Sequence, residues 1–413
     1  MAIGDVIVAV DIGTSQVRAV MGQISRMNQI EIMGFGASFC KGMKRGLIID
    51  IESTAQAIRE AVLLAENSAN LKIESAYVNT VGSNISIVPS TGSIPITSPD
   101  KDIGYDDITD VLKSAKGFRV SAGKQIIDII PHHYRVDEHD GIVDPIGMTG
   151  SHLQVEADVL LISTTSAQNL VRSMEKAGLR IDGIIAESLA DSEIALTPDE
   201  RELGVLMLDV GAGTTYMSVF KDKRLVYYNT LPIGGEHISN DIVIGLKTSY
   251  EEADKLKKQY GVALKSLINN DQEILVSSVA GEKRRRAVKI SEIVEIIEPR
   301  IQEIFSLVEE NLVRYNMKEK ISAGAVLTGQ GISNIYGSDQ AGAEGLNLPV
   351  RLGKPKLIGI LKPTFATSLG MIKYISGIKY GRNMGSSVSV LNANKPYMGL
   401  WEKFKGFLRE LGS

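Results

Sequence analysis

The stretch VIVAVDIGTSQVRAVMGQ, residues 6–23, contains two apolar runs separated by a short polar segment. Its branched apolar residues predict two paired strands of a buried sheet, joined by a turn at Thr14 and Ser15. Because Gly13 lacks a Cβ, backbone N–H groups and the two hydroxyls of this turn can surround a phosphate. Asp11 would then face a Mg²⁺ ion, which proteins usually hold with one or two carboxylates through water. A plain hairpin explains a single turn of this kind equally well.

A second stretch, VLMLDVGAGTTYMSVFKDKRLVYY at residues 205–228, repeats the order of strand, Asp-Val-Gly, turn and strand. Its place at the start of a second run of alternating strands and helices favours duplication of one α/β unit. Two such turns can close on one phosphate chain from opposite sides, as a clamp for ATP between two domains. The second turn would contribute Asp209, Gly211, Gly213, Thr214 and Thr215.

Other nucleotide signatures are absent from the sequence. It contains neither GxxxxGK(S/T) nor GxGxxG, which disfavours sites formed by a loop and the helix after it. In VLTGQGISNI, Gly329 and Gly331 would let the backbone pass close to a base or a ribose. An ordinary strand followed by a helix cap is the alternative.

The composition is that of an ordinary globular protein, with 413 residues, 44% apolar and 23% charged, which predicts two or three folding units. A formal charge of −4 gives no global basic field for a nucleic acid, and 5% aromatic residues argue against a base-stacking surface. The single Cys40 excludes a disulfide framework. The N-terminus lacks the basic start of a signal peptide, and no apolar run reaches about 18 residues. We therefore expect an intracellular chain without a membrane span.

The remaining sequence divides into segments that differ in composition and in hydrophobic periodicity. Residues 50–69 predict an amphipathic helix, and residues 82–156 predict an inserted module of short strands with one helix near 105–115. Residues 251–315 are predicted to be mostly helical. GSSVSVLNANKP at 385–396 has the composition of a linker.

The last segment predicts a membrane-surface helix, because residues 397–411 place apolar side chains on one face. Docking of that face onto the protein itself is the alternative. The apolar residues expected to contact lipid are Met398, Leu400, Trp401, Phe404, Phe407, Leu408 and Leu411.

Two charged motifs receive structural interpretations. His132 and His133 alternate along a predicted strand, so their rings face opposite sides and cannot share a metal ion. The run from Lys283 to Arg286 fits a solvated loop, with attraction of an acidic peptide as the alternative.

Longer motifs carry a family resemblance: GMKRGLIIDIESTAQAIREAV, VDPIGMTGSHLQVEADVLL, LPIGGEHISNDI, EEADKLKKQYG, EIIEPRIQEIF and KPTFATSLGMIKY. With these motifs the chain resembles the FtsA family of bacterial cell-division proteins, actin-like members of the superfamily of sugar kinases, heat-shock chaperones and actin. The resemblance implies an α/β fold, namely an actin-like (ribonuclease H-like) duplicated two-domain fold with an inserted α+β subdomain and a C-terminal amphipathic helix. It places subdomain IA at 1–82 and 158–203, IC at 83–157, IIA at 204–235 and 321–384, IIB at 236–320, a linker at 385–396 and the helix at 397–413.

The resemblance also implies roles for single residues. Asp11, Glu187 and Asp209 would act in ATP hydrolysis, and Glu187 would position water; a solvated helix charge is its alternative. Asp11 and Asp209 would face Mg²⁺ through water. The ATP-binding residues would be Gly13, Thr14, Ser15, Gly211, Ala212, Gly213, Thr214, Thr215, Gly234, Gly235, Lys257, Gly329, Gln330 and Gly331.

Three positions depart from the family pattern. Gln330 stands where the family has a glycine of TGGG, Tyr216 stands for the aspartate of GTTD, and Ser188 stands for the proline after Glu187. Tyr216 would be a poorer general base than a carboxylate, so we expect at most slow hydrolysis of ATP.

The implied function is that of an ATP-binding protein that polymerises on the cytoplasmic face of the cell membrane at the division site. It would bind the anionic membrane surface, tether FtsZ filaments through the FtsZ C-terminal tail and recruit later division proteins. Arg300 is the predicted contact for that tail, because arginine can bind a carboxylate through two hydrogen bonds; an internal salt bridge within the same helix is the alternative. The alternative function is a pilus-assembly actin-like ATPase, or another ATPase or kinase of the superfamily.

Overall fold

The computed structural model of the chain describes residues 6–24, 30–80, 85–117, 120–277, 285–353 and 363–380. The predicted linker and amphipathic helix, residues 385–413, lie outside these ranges. No helix within them is long and apolar enough to cross a bilayer.

The strands of the described residues are, in chain order, β1 Val6–Ile12, β2 Gln16–Ile24, β3 Ile30–Phe39, β4 Met43–Lys44, β5 Leu47–Ile48, β6 Ser75–Asn79, β7 Ser86–Pro95, β8 Lys124–Val136, β9 His139–Ile142, β10 His152–Ser163, β11 Arg180–Ile185, β12 Val205–Val210, β13 Thr215–Lys221, β14 Arg224–Leu231, β15 Glu273–Ser277, β16 Arg285–Lys289, β17 Ala325–Thr328 and β18 Val350–Leu352.

The α-helices are α1 Ile51–Ala69, α2 Tyr105–Ala115, α3 Thr164–Lys176, α4 Glu187–Ala195, α5 Pro198–Leu203, α6 Gly235–Leu246, α7 Tyr250–Tyr260, α8 Ile290–Arg314, α9 Ser338–Leu346 and α10 Ala366–Tyr380. Short 3₁₀ turns occur at Lys265–Leu267, Lys318–Lys320 and Pro363–Phe365.

Two five-stranded sheets form the centres of the two halves of the molecule. The first has the order β11-β6-β1-β2-β3 and the second the order β14-β13-β12-β17-β18. In each sheet the first strand of the half pairs antiparallel with its hairpin partner and parallel with a later strand. Strands β1 and β12 are buried over most of their length, as expected for sheets covered on both faces. The predicted duplication of one α/β unit is confirmed.

In helix α1, both the capping residue and the packing agree with the helix predicted for residues 50–69. The side chain of Asp50 accepts hydrogen bonds from the backbone N–H groups of Glu52 and Ser53, which caps the first turn. The helix lies directly on β3: a Cβ on Gly36 would stand 2.1 Å from the carbonyl oxygen of Ala61. Glycine is therefore needed on the strand for this approach of the two backbones.

The inserted module contains the predicted short strands and helix. Its sheet has the order β7-β10-β8-β9, and α2 buries Ile108, Val111 and Leu112 in the core that this sheet forms. His132 lies at a bulge between β8 and β10.

The two histidines of this module contact different carboxylates. Nε2 of His132 lies 2.6 Å from Oδ2 of Asp158, whereas His133 lies 3.3 Å from Glu156. Both contacts fit the predicted structural role.

A mostly helical lobe of the second half contains α6, α7 and α8. The prediction of helices over residues 251–315 needs one correction, because β15 and β16 form an antiparallel hairpin there. Alternation along these short strands buries Val276 and Val288 against the lobe. Arg285 and Arg286 are exposed on β16 and not in a loop, while residues 283 and 284 lie outside the described ranges.

Helices α4 and α10 join the two halves. They pack together and share one hydrophobic core with strands of both sheets. A Cβ on Gly370 of α10 would stand 2.2 Å from the carbonyl oxygen of Ala190 in α4. This tight contact fixes the start of α4 at the boundary between the halves.

Candidate functional site

A cleft of about 610 Å³ lies between the two halves, and both predicted turns line it. The turns nearly touch, since a Cβ built on Gly213 would stand 3.2 Å from Cγ2 of Thr14. The hydroxyl of Thr14 accepts a hydrogen bond from the backbone N–H of Gly46 at 3.1 Å. The two hairpins thus face each other across the cleft, as a clamp requires.

Asp11 presents an oriented carboxylate from the first hairpin. It is 3% exposed, and it accepts hydrogen bonds from Nη1 of Arg18 and Nδ2 of Asn79, each at 3.0 Å. Asn79 is itself fixed, because its Oδ1 accepts from the backbone N–H of Ile12 at 2.8 Å. Burial raises the pKa of Asp11, although Arg18 acts in the opposite direction.

Asp209 occupies the matching place in the second hairpin. Its carboxylate accepts a hydrogen bond from the hydroxyl of Thr328 at 3.0 Å. Burial raises the pKa of Asp209 to about 6, against the effect of that hydrogen bond. The two halves therefore place one aspartate each on the cleft.

Three glycines let loops of the second half meet at the cleft. The N–H of Gly331 donates to the carbonyl oxygen of Val210 at 2.7 Å, and the N–H of Gly235 donates to that of Gly211 at 3.0 Å. A Cβ on Gly331 would stand 2.4 Å from the carbonyl oxygen of Gly211, and one on Gly235 would stand 2.5 Å from Cα of Gly331. Backbone alone forms this wall, because contacts so short exclude a side chain.

Helix α4 brings two more acids to the cleft. Glu187 is its first residue, Asp191 lies one turn later, and both line the cleft. Burial, together with the surrounding carboxylates, raises the pKa of each well above its ordinary value. Glu187 therefore lies among the acids of the site and not on a solvated helix face.

Three buried polar atoms of the lining have no hydrogen-bond partner among the described residues: Nε of Arg18, Oγ1 of Thr214 and Oδ2 of Asp191. Buried polar groups are normally satisfied, so these atoms indicate a ligand that offers both anionic oxygens and hydrogen-bond donors. A phosphate with a hydrated Mg²⁺ ion offers both. No three acidic, histidine or cysteine side chains of the described ranges form a direct metal site.

Lys257 is part of the wall on the side of α6 and α7. It is 6% exposed, and its Nζ donates to the carbonyl oxygen of Gly235 at 2.9 Å and to the hydroxyl of Ser239 at 2.8 Å. Burial lowers the pKa of Lys257, against the attraction of Asp254. Lys257 thus fixes the backbone of the wall through its own hydrogen bonds.

Most of the predicted ATP-binding residues line the cleft: Gly13, Thr14, Ser15, Gly211, Ala212, Thr214, Gly235, Lys257, Gly329, Gln330 and Gly331. The lining does not include Gly213, Thr215 and Gly234. The hydroxyl of Thr215 donates to the carbonyl oxygen of Ile233 at 2.7 Å, and a Cβ on Gly234 would stand 2.6 Å from the carbonyl oxygen of Gly211. Thr215 and Gly234 thus support the second turn from behind, whereas Gly213 faces Thr14 of the first turn.

Sequence reasoning missed Arg18, Asn79 and Asp191. Two of them had a signal: a hairpin turn centred on residues 14 and 15 places Arg18 opposite Asp11, and Asp191 follows Glu187 by one helical turn. Asn79 ends another strand, 68 residues from Asp11, and no signal in the sequence pointed to it.

Arg300 has a partner within the chain. Its Nε and Nη2 donate to the two carboxylate oxygens of Asp241 at 2.6 and 3.0 Å, and Glu303 contacts Nη1. The alternative of an internal salt bridge therefore describes the structure, with the main partner on α6 and not on the helix of Arg300. Contact with a peptide carboxylate remains a prediction.

Two duplicated sheets around a cleft, joined by α4 and α10, define a protein of the actin-like class. Solved structures agree: the chain resembles the PilM-PilN type IV pilus biogenesis complex with a TM-score of 0.59 and 14% identity, over 88% of this chain and 96% of that one. It resembles MreB5 of Spiroplasma citri bound to ADP with a TM-score of 0.56 and 14% identity, over 90% and 97%. The predicted actin-like fold is confirmed.

The family is shown by sequence. A family model described as cell division protein FtsA matches residues 206–370, and one described as an SHS2 domain inserted in FTSA matches residues 82–161. The cell division protein FtsA of Pseudomonas aeruginosa is 32% identical over 98% of both chains, and that of Bacillus subtilis is 35% identical over 91% of this chain and 86% of its own. The chain belongs to the FtsA family of cell-division proteins, which decides against the pilus-assembly alternative.

Proposed function

We propose that the chain binds ATP with Mg²⁺ in the cleft and, in that state, assembles on the cytoplasmic face of the cell membrane at the division site. One observation carries the nucleotide part: the two hairpin turns face each other, and each hairpin has an unpartnered buried polar atom, Nε of Arg18 or Oγ1 of Thr214. Both groups can donate a hydrogen bond to a phosphate oxygen.

The acidic side chains of the cleft explain why we propose that the nucleotide binds together with a cation. Asp11, Glu187, Asp191 and Asp209 line the cleft. Among the described residues only the first of these four acids is paired with a cation, Arg18, so a triphosphate alone would meet uncompensated negative charge. Mg²⁺ would neutralise part of the phosphate charge. Asp11 and Asp209 would hold it through water, one from each hairpin.

Hydrolysis should be slow. Tyr216 lines the cleft and stacks on Tyr228, with 6.2 Å between ring centroids. Burial raises the pKa of the Tyr216 phenol well above its ordinary value, so it stays protonated at neutral pH and cannot accept a proton from water. Glu187 is the remaining group to position the attacking water.

The assembly part of the proposal rests on family membership. Copies of the chain would associate through the inserted module, residues 397–411 would lie on anionic lipid, and the FtsZ tail would dock on the helical lobe beside Arg300. A filament carries many copies of a weak membrane helix, so assembly and attachment would reinforce each other. Membrane-bound filaments would then tether FtsZ and recruit later division proteins.

Nucleotide binding is tested at Gly211. A Cβ there would stand 3.2 Å from the carbonyl oxygen of Thr214, which leaves no room for a branched side chain facing a phosphate, whereas a Cβ on Gly377 meets no atom within 4 Å. In titrations with a fluorescent ATP analogue and Mg²⁺, Gly211→Val should lose at least about tenfold in affinity, and the control Gly377→Ala should bind like the parent. A Gly211→Val protein that keeps its circular dichroism spectrum and its affinity contradicts the clamp.

Assembly is tested on anionic liposomes with ATP and Mg²⁺. The full chain should sediment with the vesicles and form filaments on them, and a chain lacking residues 397–413 should do neither. Trp401→Glu should abolish sedimentation while ATP binding is kept; sedimentation equal to that of the parent rules out the membrane helix.

The FtsZ contact has its own control. Arg300→Glu should weaken binding of an FtsZ tail peptide in an anisotropy titration. Arg314→Glu changes an exposed charge on the same helix and should leave the affinity unchanged. Equal affinities of both variants would remove Arg300 from the binding surface.

A further inference from the structure

Asp191 differs from Asp11, Asp209 and Glu187, the other acids that the two hairpins and α4 bring to the cleft, in what its carboxylate contacts. The residue is 6% exposed and lines the cavity. The hydroxyl of Thr367 forms a hydrogen bond with the side chain of Asp191, but the Oδ2 atom of Asp191 has no partner among the described residues. Asp11, Asp209 and Glu187 each have a donor, from Arg18 and Asn79, Thr328, and Asn79 respectively.

A buried carboxylate oxygen without a donor is costly, because it loses its hydration and gains nothing in return. No lysine or arginine is paired with Asp191 within the described ranges; the charges of Asp209 and Asp11 both repel its ionised form. The position is therefore unfavourable unless a ligand supplies positive charge or hydrogen-bond donors. A hydrated divalent cation supplies both, and its water molecules reach ligands that the ion itself does not touch.

We propose that Asp191 binds the water shell of the Mg²⁺ ion that accompanies the nucleotide, alongside Asp11 and Asp209, and so makes nucleotide binding depend more steeply on the divalent cation. The proposal rests on the proposed function, ATP binding in this cleft. It assigns a third outer-sphere carboxylate to α4, the helix that joins the halves. Binding of the cation would then draw together both hairpins and this connecting helix.

A purely structural role makes different predictions. Asp191 on α4 would then serve to hold Thr367 at the start of α10, and removal of its charge would only weaken that contact. The cation role predicts instead that removal of the charge relieves repulsion in the absence of cation and weakens the linkage between Mg²⁺ and ATP.

The experiment compares the full chain with Asp191→Asn, which keeps the shape and the Thr367 contact, and with Asp191→Ser. Asp199→Asn is the control, because Asp199 is an exposed acid on the next helix, α5. Affinity for ATP is titrated at Mg²⁺ concentrations from chelator alone upward, and melting temperature is measured without nucleotide, with and without Mg²⁺.

Both variants should need about tenfold more Mg²⁺ for half-maximal ATP binding, as is typical when an outer-shell partner of a metal is removed. Asp191→Asn should melt at or above the temperature of the parent when nucleotide and Mg²⁺ are absent. The control should match the parent in both measurements.

An unchanged Mg²⁺ requirement in both variants would overturn the proposal, and a lowered melting temperature in that case would assign Asp191 to the Thr367 contact. If the unaltered chain binds no ATP at any Mg²⁺ concentration, the proposed function fails and this proposal fails with it. If it binds ATP with a Mg²⁺ dependence that the variants share, only the role of Asp191 is wrong.

Discussion

Buried aspartates lie in the cleft and at the junction between the inserted module and the second sheet, and the surroundings of their carboxylates differ. At the junction, Asp158 on β10 is 3% exposed, and its carboxylate accepts hydrogen bonds from Nη2 of Arg224 on β14 at 2.9 and 3.1 Å. His132 contacts the same carboxylate. Although burial acts to raise it, these partners hold the pKa of Asp158 below its ordinary value. In the cleft, burial raises the pKa of Asp209 to about 6.

The difference separates structural acids from ligand-binding ones. The counter-charge of Asp158 is part of the fold, so this residue links the inserted module to the second half without any ligand. In the cleft, Arg18 pairs with Asp11, and Lys257 and Lys258 pair with Asp254. Among the described residues, Glu187, Asp191 and Asp209 have no paired cation, which leaves negative charge to be balanced by something that binds. Acids with a strongly perturbed pKa that lie in a cleft are candidates for a functional site.

The largest expected effect comes from breaking the junction. Arg224→Met removes the guanidinium and leaves Asp158 buried with His132 as its remaining partner. We expect the free energy of unfolding at pH 8 to fall by about 2 kcal/mol, because a buried carboxylate loses its hydrogen bonds from a charged group. Urea unfolding measures the loss.

Lys223→Met is the matched control for this change. Lys223 is the adjacent residue, and its salt bridge with Glu202 is exposed, so its loss should cost less than about 1 kcal/mol. Similar losses in the two variants would show that the junction is no stronger than a surface pair.

A smaller effect should come from the cleft. Thr328→Val removes the hydroxyl that donates to Asp209 while keeping the shape of the side chain. We expect a loss of about 1.5 kcal/mol at pH 8, the usual contribution of a hydrogen bond to a charged group. The same substitution made in an Asp209→Asn background should cost less, since the pair is then broken already. Additive losses would show that Thr328 acts through packing and not through Asp209.

The contrast between cleft and junction also explains what sequence can predict. Both hairpin turns followed from local patterns, because a short turn fixes which residues lie opposite each other, as Arg18 lies opposite Asp11. Glu187 and Lys257 entered the prediction only through the family resemblance. The i to i+4 spacing of Glu187 and Asp191 is equally local, so Asp191 could have been predicted from the sequence once Glu187 was placed in the site.

Long-range pairs carried no such signal. Arg224 and Asp158 are 66 residues apart, on strands of different sheets, and their meeting depends on how the inserted module packs against β14. The hairpin of β15 and β16 was missed for a related reason: two five-residue strands within a helical lobe are too short for their alternation to stand out.

The smallest predicted effect separates the two kinds of acid by pH. The pKa of Asp209 is raised to about 6 in the folded protein, whereas an unfolded aspartate titrates near about 3.9. Lowering the pH from 8 to 5.5 therefore protonates Asp209 in the folded state while it stays ionised in the unfolded state. Proton uptake by the folded state stabilises it, by about 1 kcal/mol over this range. Asp158, with its pKa below the ordinary value, is ionised in both states throughout this range and contributes no change.

Urea unfolding at both pH values, without nucleotide or divalent cation, measures this gain against that of Asp209→Asn. Asp128, with its pKa raised by burial to about 7, is present in both proteins and cancels in the difference. Glu187 and Asp191 do not cancel, because the charge of Asp209 helps to raise their pKa values; its loss reduces the gain of the variant further. The parent should therefore gain at least about 1 kcal/mol more than the variant on acidification. Equal gains would mean that Asp209 is as well compensated as Asp158, and the cleft would then lose the uncompensated charge on which its assignment to a cation and a phosphate depends.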